Sequence, residues 1–120
     1  MHHVIVGSGP AGVTAAETIR SICKASKITL IGGEGEPPYS RMAIPYLLHG
    51  DIQEKGTYLR QTAGHYDSLG IEYKQSRIAG IDATRKELWT SAIEPIKYDK
   101  LLLATGATPI IPRMEGADLP

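Results

Sequence analysis

The stretch that decides the fold is Val4-Ile5-Val6-Gly7-Ser8-Gly9-Pro10-Ala11-Gly12, near the start of a 120-residue chain. Its apolar residues lead into the pattern G-x-G-x-x-G, after which apolar side chains recur at helical spacing. A second apolar run, residues 27–31, follows the helical stretch. A strand, a Gly-rich turn, a helix and a second strand within roughly 30 residues are typical of a right-handed βαβ unit with parallel strands.

The glycines of this turn each have a physical reason to be glycine. Gly7 permits a tight turn after the strand, Gly9 lets the backbone approach a pyrophosphate, and Gly12 allows close packing of the helix on the strand. The start of a helix offers free N–H groups and a partial positive charge to phosphates. We therefore predict a pyrophosphate site, and the residues assigned to it are Gly7, Ser8, Gly9, Pro10, Ala11 and Gly12.

An acidic residue is expected roughly 20 residues after such a loop, where it accepts hydrogen bonds from the ribose of a dinucleotide. Glu34 lies near that position, just after the second strand, and we predict that it is the ribose ligand. Glu36 is the alternative carboxylate. The pattern fits NAD as well as FAD, so the loop by itself does not decide between these two cofactors.

The rest of the chain predicts an incomplete Rossmann-like, doubly wound α/β domain with a small antiparallel β insert. The stretch 32–45, which contains three prolines, is predicted to be an irregular loop, and residues 46–49 and 61–69 are predicted to be helices. Residues 71–74, 76–82 and 86–90 are predicted strands, the last two forming a hairpin. The apolar run 100–105 predicts a central strand that is buried on both faces.

Composition excludes several classes of protein. Thirteen basic and thirteen acidic residues balance to a formal net charge of zero, which argues against nucleic acid as a partner. No apolar run approaches the roughly 18 residues of a membrane span, so no membrane association is expected. The single cysteine, Cys23, excludes an internal disulfide, and we expect it to lie in the core of a cytoplasmic protein. No catalytic residue and no metal site is predicted.

Several segments together resemble the amino-terminal part of the FAD-dependent pyridine nucleotide-disulfide oxidoreductases. The subgroup that is most similar contains the ferredoxin or rubredoxin reductase-like and the NADH-nitrite reductase-like flavoproteins. The segments that carry the resemblance are 4–12, 28–34, Pro38-Tyr39-Ser40-Arg41, Thr57-Tyr58-Leu59-Arg60 and the run 98–109, which contains Ala104-Thr105-Gly106.

The resemblance implies FAD as the cofactor and NAD(P)H as the substrate of the full-length enzyme, with an electron-acceptor protein as a partner. It places Arg41 near the cofactor and brings the backbone of Ala79 to the adenine. It also implies that Ala104, Thr105 and Gly106 close over the cofactor near the pyrophosphate. Residues 1–110 would be the first segment of the FAD-binding domain, and residues 111–120 a linker toward an absent NAD(P)H-binding domain.

Two further expectations concern chemistry. Met42 stands where thiol-using relatives have a redox-active cysteine, so the resemblance implies direct transfer of electrons from flavin to the acceptor. Because a second dinucleotide loop is absent from the 120 residues, the chain alone is expected to be inactive. The alternatives are a lone non-catalytic dinucleotide-binding module and an NAD-dependent dehydrogenase domain.

Overall fold

A four-stranded parallel sheet forms the centre of the fold. The structure is a computed structural model, and it describes residues 1–90, 94–110, 112–114 and 116. The strands are β1 (His2–Val6), β2 (Lys27–Gly32), β3 (Ile71–Gln75), β4 (Ile78–Asp82), β5 (Glu87–Thr90), β6 (Ile96–Lys97) and β7 (Lys100–Leu103). The α-helices are α1 (Pro10–Ile22), α2 (Ile44–His49) and α3 (His65–Ser68), and short 3₁₀ turns cover Arg41–Ala43 and Glu54–Thr57.

The strand order in the parallel sheet is β3-β2-β1-β7, and a second, antiparallel sheet has the order β4-β5-β6. Strand β1 pairs with β2 on one side and with β7 on the other, all in parallel. Its residues Val4 and Ile5 are completely buried, because neighbours cover both edges and both faces of the strand. This architecture confirms the predicted fold class.

Each face of the parallel sheet carries its own apolar cluster. On one face Ile5, Leu30 and Ile71 pack with Val13 and Ala16 of helix α1. On the other face Val4, Val6 and Ile31 pack with Leu88 of the antiparallel sheet. Helices therefore cover one face and the antiparallel sheet covers the other. Because the four strands are parallel, their carboxyl ends lie together at one edge of the sheet.

The predicted position of the last strand is wrong. Strand β7 ends at Leu103, and within the described residues it lies at the edge of the sheet. Leu102 and Leu103 remain 41% and 58% exposed, because their side chains point to opposite faces of the strand and the described residues leave both largely uncovered. An apolar run predicts a buried strand only if other elements cover both faces of that strand.

Two other expectations also need correction. Cys23 is exposed and not in the core, because α1 ends at Ile22 and the cysteine occupies the C-cap, where helical spacing no longer applies. The helix predicted over 61–69 is reduced to α3, because Gly64 precedes it in a left-handed conformation with φ of 69°. Most of the predicted linker lies outside the described residues.

In the described part of the chain no helix has both the length and the apolar character to cross a bilayer. The same residues contain no group of three or more His, Cys, Asp or Glu side chains that could hold a metal ion.

Candidate functional site

A cleft of about 900 Å³ opens at the carboxyl ends of the parallel strands. The segments that follow β1, β2, β3 and β7 all contribute to its lining. Strand β1 is the point at which the strand order reverses, and in open α/β sheets ligands bind at such a point. The lining residues are Val6, Gly7, Ser8, Gly9, Pro10, Ala11, Ile31, Gly33, Glu34, Glu36, Tyr39, Ser40, Arg41, Met42, Ser76, Arg77, Ile78, Ala104, Thr105, Gly106, Ala107 and Thr108.

The turn after β1 is possible only because Gly7 and Gly12 lack side chains. Gly7 has a φ of 113°, and a Cβ there would lie 2.1 Å from the carbonyl oxygen of Ala104. A Cβ at Gly12 would lie 1.8 Å from the carbonyl oxygen of Gly7. Gly12 therefore has the predicted packing role and does not itself line the cleft, whereas the loop residues before it do.

Gly9 differs from these two glycines, because a Cβ at this position would meet no described atom within 4 Å. Gly9 is the N-cap of α1, and its carbonyl accepts from the Val13 N–H at 3.0 Å. No described side chain caps this helix start, and its first turn contains no acidic residue. The open space and the free N–H groups together form a cradle that fits a negatively charged group such as a pyrophosphate.

Glu34 lies in the cleft and has two partners from the following loop. The Tyr39 hydroxyl donates to Oε2 of Glu34 at 2.6 Å, and the Arg41 guanidinium donates to Oε1. These two hydrogen bonds, that of Tyr39 first, lower the pKa of Glu34 below its ordinary value. An ionised carboxylate can only accept hydrogen bonds, which suits it to the hydroxyl groups of a ribose.

The segment after β7 closes the cleft on the side opposite Glu34. The Ala104 N–H donates to the carbonyl oxygen of Val6 at 2.7 Å, which ties this segment to the end of β1. Gly106 has a φ of 71°, and a Cβ here would meet no described atom within 4 Å. Thr105 lies between these two residues and also lines the cleft.

The cleft thus brings together ten of the twelve predicted site residues. The exceptions are Gly12, which packs behind the loop, and Ala79, which lies outside the lining. The two residues that precede Ala79, Arg77 and Ile78, do line the cleft. Ala79 lies at an irregularity in the β4–β5 pairing, where the alternation of side chains along the strand is broken.

Sequence reasoning missed the residues that follow β3, namely Ser76, Arg77 and Ile78. Their signal was available, because they come directly after a parallel strand whose neighbour, β2, carries Glu34 at its own carboxyl end. Tyr39 was predicted only as part of the segment Pro38-Tyr39-Ser40-Arg41, which carries the family resemblance. Its hydrogen bond to Glu34 cannot be predicted from a spacing of five residues in an irregular loop.

A parallel α/β sheet with a Gly-rich turn, a helix start and an acidic residue around one cleft defines a dinucleotide-binding domain of the Rossmann type. The sequence matches the family described as pyridine nucleotide-disulphide oxidoreductase over residues 1–119. The chain therefore belongs to this family, as the resemblance implied. Members of the family use FAD as cofactor and NAD(P)H as substrate.

Individual relatives support this assignment. The chain is 35% identical over 99% of its length to an NADH oxidase of Methanocaldococcus jannaschii, and 35% identical over 96% to the nitrite reductase [NAD(P)H] of Bacillus subtilis. The crystal structure of the ferredoxin reductase for the CYP199A2 system from Rhodopseudomonas palustris superposes with a TM-score of 0.89, at 29% identity over 99% of the chain. The chain spans 28%, 14% and 30% of these three proteins, respectively.

Proposed function

We propose that this chain is the FAD-binding segment of an NAD(P)H-dependent flavoprotein oxidoreductase. The observation that carries the proposal is the cradle at Gly9, which is open toward the cleft that Glu34 also lines. In the whole protein, electrons would pass from NAD(P)H through FAD to an acceptor of the ferredoxin, rubredoxin or nitrite reductase type. A cytoplasmic location is part of the proposal.

The backbone of the Gly-rich loop would hold the pyrophosphate of the dinucleotide. The N–H groups at the start of α1 are free for this position, and the aligned peptide dipoles of the helix add a partial positive charge. Neutral backbone donors suit this task, because they need no counterion when no ligand is bound. Ala104, Thr105 and Gly106 would close over the same region from the strand on the other side of β1.

Glu34 would accept hydrogen bonds from the adenosine ribose. Tyr39 and Arg41 hold one carboxylate oxygen each, and every carboxylate oxygen has a second acceptor position that remains for a ribose hydroxyl. Arg41 and Arg77 would place positive charge beside the nucleotide, and both line the cleft. Contact of the adenine with the backbone of Ala79 remains a prediction.

When bound, FAD supplies the redox chemistry, since its ring system accepts a hydride and releases electrons to an acceptor. The residues of this chain would hold and orient the cofactor. Met42 lines the cleft where a thiol-using relative would have cysteine, and a thioether forms neither a thiolate nor a disulfide. We therefore propose that redox equivalents in the whole protein are carried by the flavin alone.

Binding of nucleotides to the chain tests the proposal. ADP is the informative probe, because it contains the adenosine and the pyrophosphate that the cleft residues are proposed to hold and lacks the flavin. Saturable binding of ADP and FAD, each with chemical-shift changes at Gly9 and Glu34 in heteronuclear NMR spectra, would support the proposal. Absence of binding by both, or binding of NAD with much higher affinity than FAD, would contradict it and favour a dehydrogenase domain.

An NADH-consumption assay tests the second part of the proposal. The chain alone, with FAD and an artificial acceptor added, should oxidise NADH no faster than free FAD does. The reason is that the one Gly-rich loop is assigned to FAD, so the nicotinamide nucleotide would not be held in register, an advantage worth up to about 7–11 kcal/mol. Saturable turnover well above the free-FAD control would contradict this assignment.

A further inference from the structure

Hydroxyl-bearing residues from the turn after β1 and from β3 and the residue that follows it lie beside Gly32 at the end of β2. A Cβ at Gly32 would lie 2.5 Å from Oγ of Ser8 and 2.5 Å from the hydroxyl oxygen of Tyr73. Both oxygens therefore enter the space that a side chain at this position would fill. The backbone N–H of Ser76 donates to the carbonyl oxygen of Gly32 at 2.7 Å, which adds a third hydroxyl-bearing residue to the same group.

The hydroxyls of Tyr73 and Ser76 are buried and have no hydrogen-bond partner among the described residues. A buried hydroxyl without a partner is unfavourable, because it has lost its hydrogen bonds to water, so native proteins rarely retain one without a reason. The Tyr73 ring cannot move the hydroxyl away easily, because it stacks on Tyr66 with a centroid distance of 5.9 Å. Ser8 and Ser76 line the cleft, whereas Tyr73 does not.

We propose that Tyr73 is a positioning residue for a phosphate group bound in the cleft, and that it acts through Ser8. A serine hydroxyl has one proton and two acceptor positions. In this structure the two hydroxyls are not hydrogen-bonded to each other. When Ser8 turns to donate its proton to a phosphate oxygen, the Tyr73 hydroxyl would gain the Ser8 Oγ as its acceptor and hold Ser8 in that orientation. This inference rests on the proposed function and names the pyrophosphate as the part of the ligand that Ser8, held by Tyr73, binds and orients.

The test compares two variants that each remove one buried hydroxyl and keep the ring. Tyr73→Phe should weaken binding of ADP about three- to tenfold, as expected for the loss of one hydrogen bond. Tyr66→Phe is the matched control, since the Tyr66 hydroxyl is equally buried and unpartnered but lies away from the cleft. Tyr66→Phe should leave ADP affinity unchanged, and neither variant should unfold at lower temperature than the unmodified chain.

Two further measurements separate positioning from a general structural role. Binding of adenosine, which lacks phosphate, should be equal in Tyr73→Phe and the unmodified chain. In the background Ser8→Ala, replacement of Tyr73 by phenylalanine should have no further effect on ADP affinity, because the residue through which it acts is absent.

The outcomes distinguish this inference from the proposed function. If the unmodified chain binds ADP and Tyr73→Phe binds it equally well, only the inference is overturned. The same holds if Tyr73→Phe weakens ADP and adenosine alike, or if its effect persists in the Ser8→Ala background. If the unmodified chain binds neither ADP nor FAD, the proposed function fails and the inference fails with it.

Discussion

Two glutamates of this chain each accept hydrogen bonds from an arginine and pair with one further side chain, but only one of them lies at the cleft. Glu34 receives hydrogen bonds from a tyrosine and an arginine at the edge of the cleft. Glu17, on helix α1, receives two from Arg60, at 2.7 and 2.6 Å, and contacts the His65 ring nitrogen at 2.8 Å. In both cases these hydrogen bonds lower the carboxyl pKa, the first cause being Tyr39 for Glu34 and Arg60 for Glu17.

The two sites differ in exposure and in what they connect. The Glu17 side chain is 22% exposed, and its partners come from the segment before α3 and from α3 itself, so the cluster holds those segments against α1. The Glu34 side chain is 41% exposed, and its partners come from its own loop. A lowered carboxyl pKa therefore marks a functional site only when a cleft lies beside it, since structural ion pairs perturb a pKa equally well.

The largest effect that this comparison predicts is on nucleotide affinity. Glu34→Ala removes the acceptors for two ribose hydroxyls, and hydrogen bonds to a charged group contribute about 1.5–3 kcal/mol each, so ADP affinity should fall at least about a hundredfold. The free energy of unfolding should change by no more than about 1 kcal/mol, because exposed ion pairs contribute little. NMR titration with ADP and urea denaturation measure the two quantities.

Glu36→Ala is the control for this variant, because Glu36 also lines the cleft and is the alternative ribose ligand. It should reduce ADP affinity less than twofold, roughly the scatter expected of such a titration. A large loss of ADP affinity in Glu36→Ala together with a small loss in Glu34→Ala would assign the ribose to Glu36. Glu34 would then have no functional role to set against the structural role of Glu17.

Glu17→Gln should produce the opposite pattern. The variant leaves the Arg60 guanidinium without its carboxylate partner in a partly buried position, and we expect the free energy of unfolding to decrease by about 1–3 kcal/mol. Affinity for ADP should stay within about twofold of the unmodified chain, since Glu17 does not line the cleft. Loss of ADP binding with unchanged stability would show that the roles of the two glutamates have been reversed.

The pH dependence of stability is the smallest of these effects. The pKa of Glu17 is lower in the folded chain than the roughly 4.3 of an unfolded glutamate, so its stabilisation is fully present above that value and is lost as pH falls through the folded pKa. The difference in unfolding free energy between the unmodified chain and Glu17→Gln should therefore be constant near neutral pH and shrink below about pH 4. A difference that grows as the solution is acidified would contradict this assignment.

The sequence was most informative where function depends on the backbone. The loop from Gly7 to Gly12 was predicted with its context, because its geometry requires glycine and a helix start, and both are visible as residue types. The order of strand, Gly-rich turn, helix and second strand was predicted for the same reason. The predicted strand β2 ended at residue 31, one residue short of Gly32, a glycine whose role depends on side chains from two other segments.

Features that depend on partners distant in the sequence were not predictable. The exposed edge of β7 depends on which strands lie beside it, and the exposure of Cys23 depends on where α1 ends. The Glu17 cluster joins residues that are 43 and 48 positions apart, and no local pattern signals such a contact. The cluster of hydroxyl-bearing residues beside Gly32 was not predictable for the same reason.

Gly9→Ala tests most directly whether the Gly-rich loop holds the pyrophosphate of a dinucleotide. Gly9 has φ of −74° and ψ of −176°, which alanine adopts freely, and its Cβ would meet no described atom within 4 Å. The added methyl group therefore clashes with no part of the described chain, so a large loss of ADP affinity would come from the ligand's position. Gly35→Ala is the matched control, because Gly35 is equally open but does not line the cleft.

The measurement is the affinity of both variants for ADP, together with their free energies of unfolding. Gly9→Ala should bind ADP at least about tenfold more weakly, through loss of hydrogen bonds to the charged oxygens, and should remain folded. Gly35→Ala should match the unmodified chain in ADP affinity. Equal ADP affinity in Gly9→Ala and the unmodified chain would contradict the assignment of this loop to the pyrophosphate.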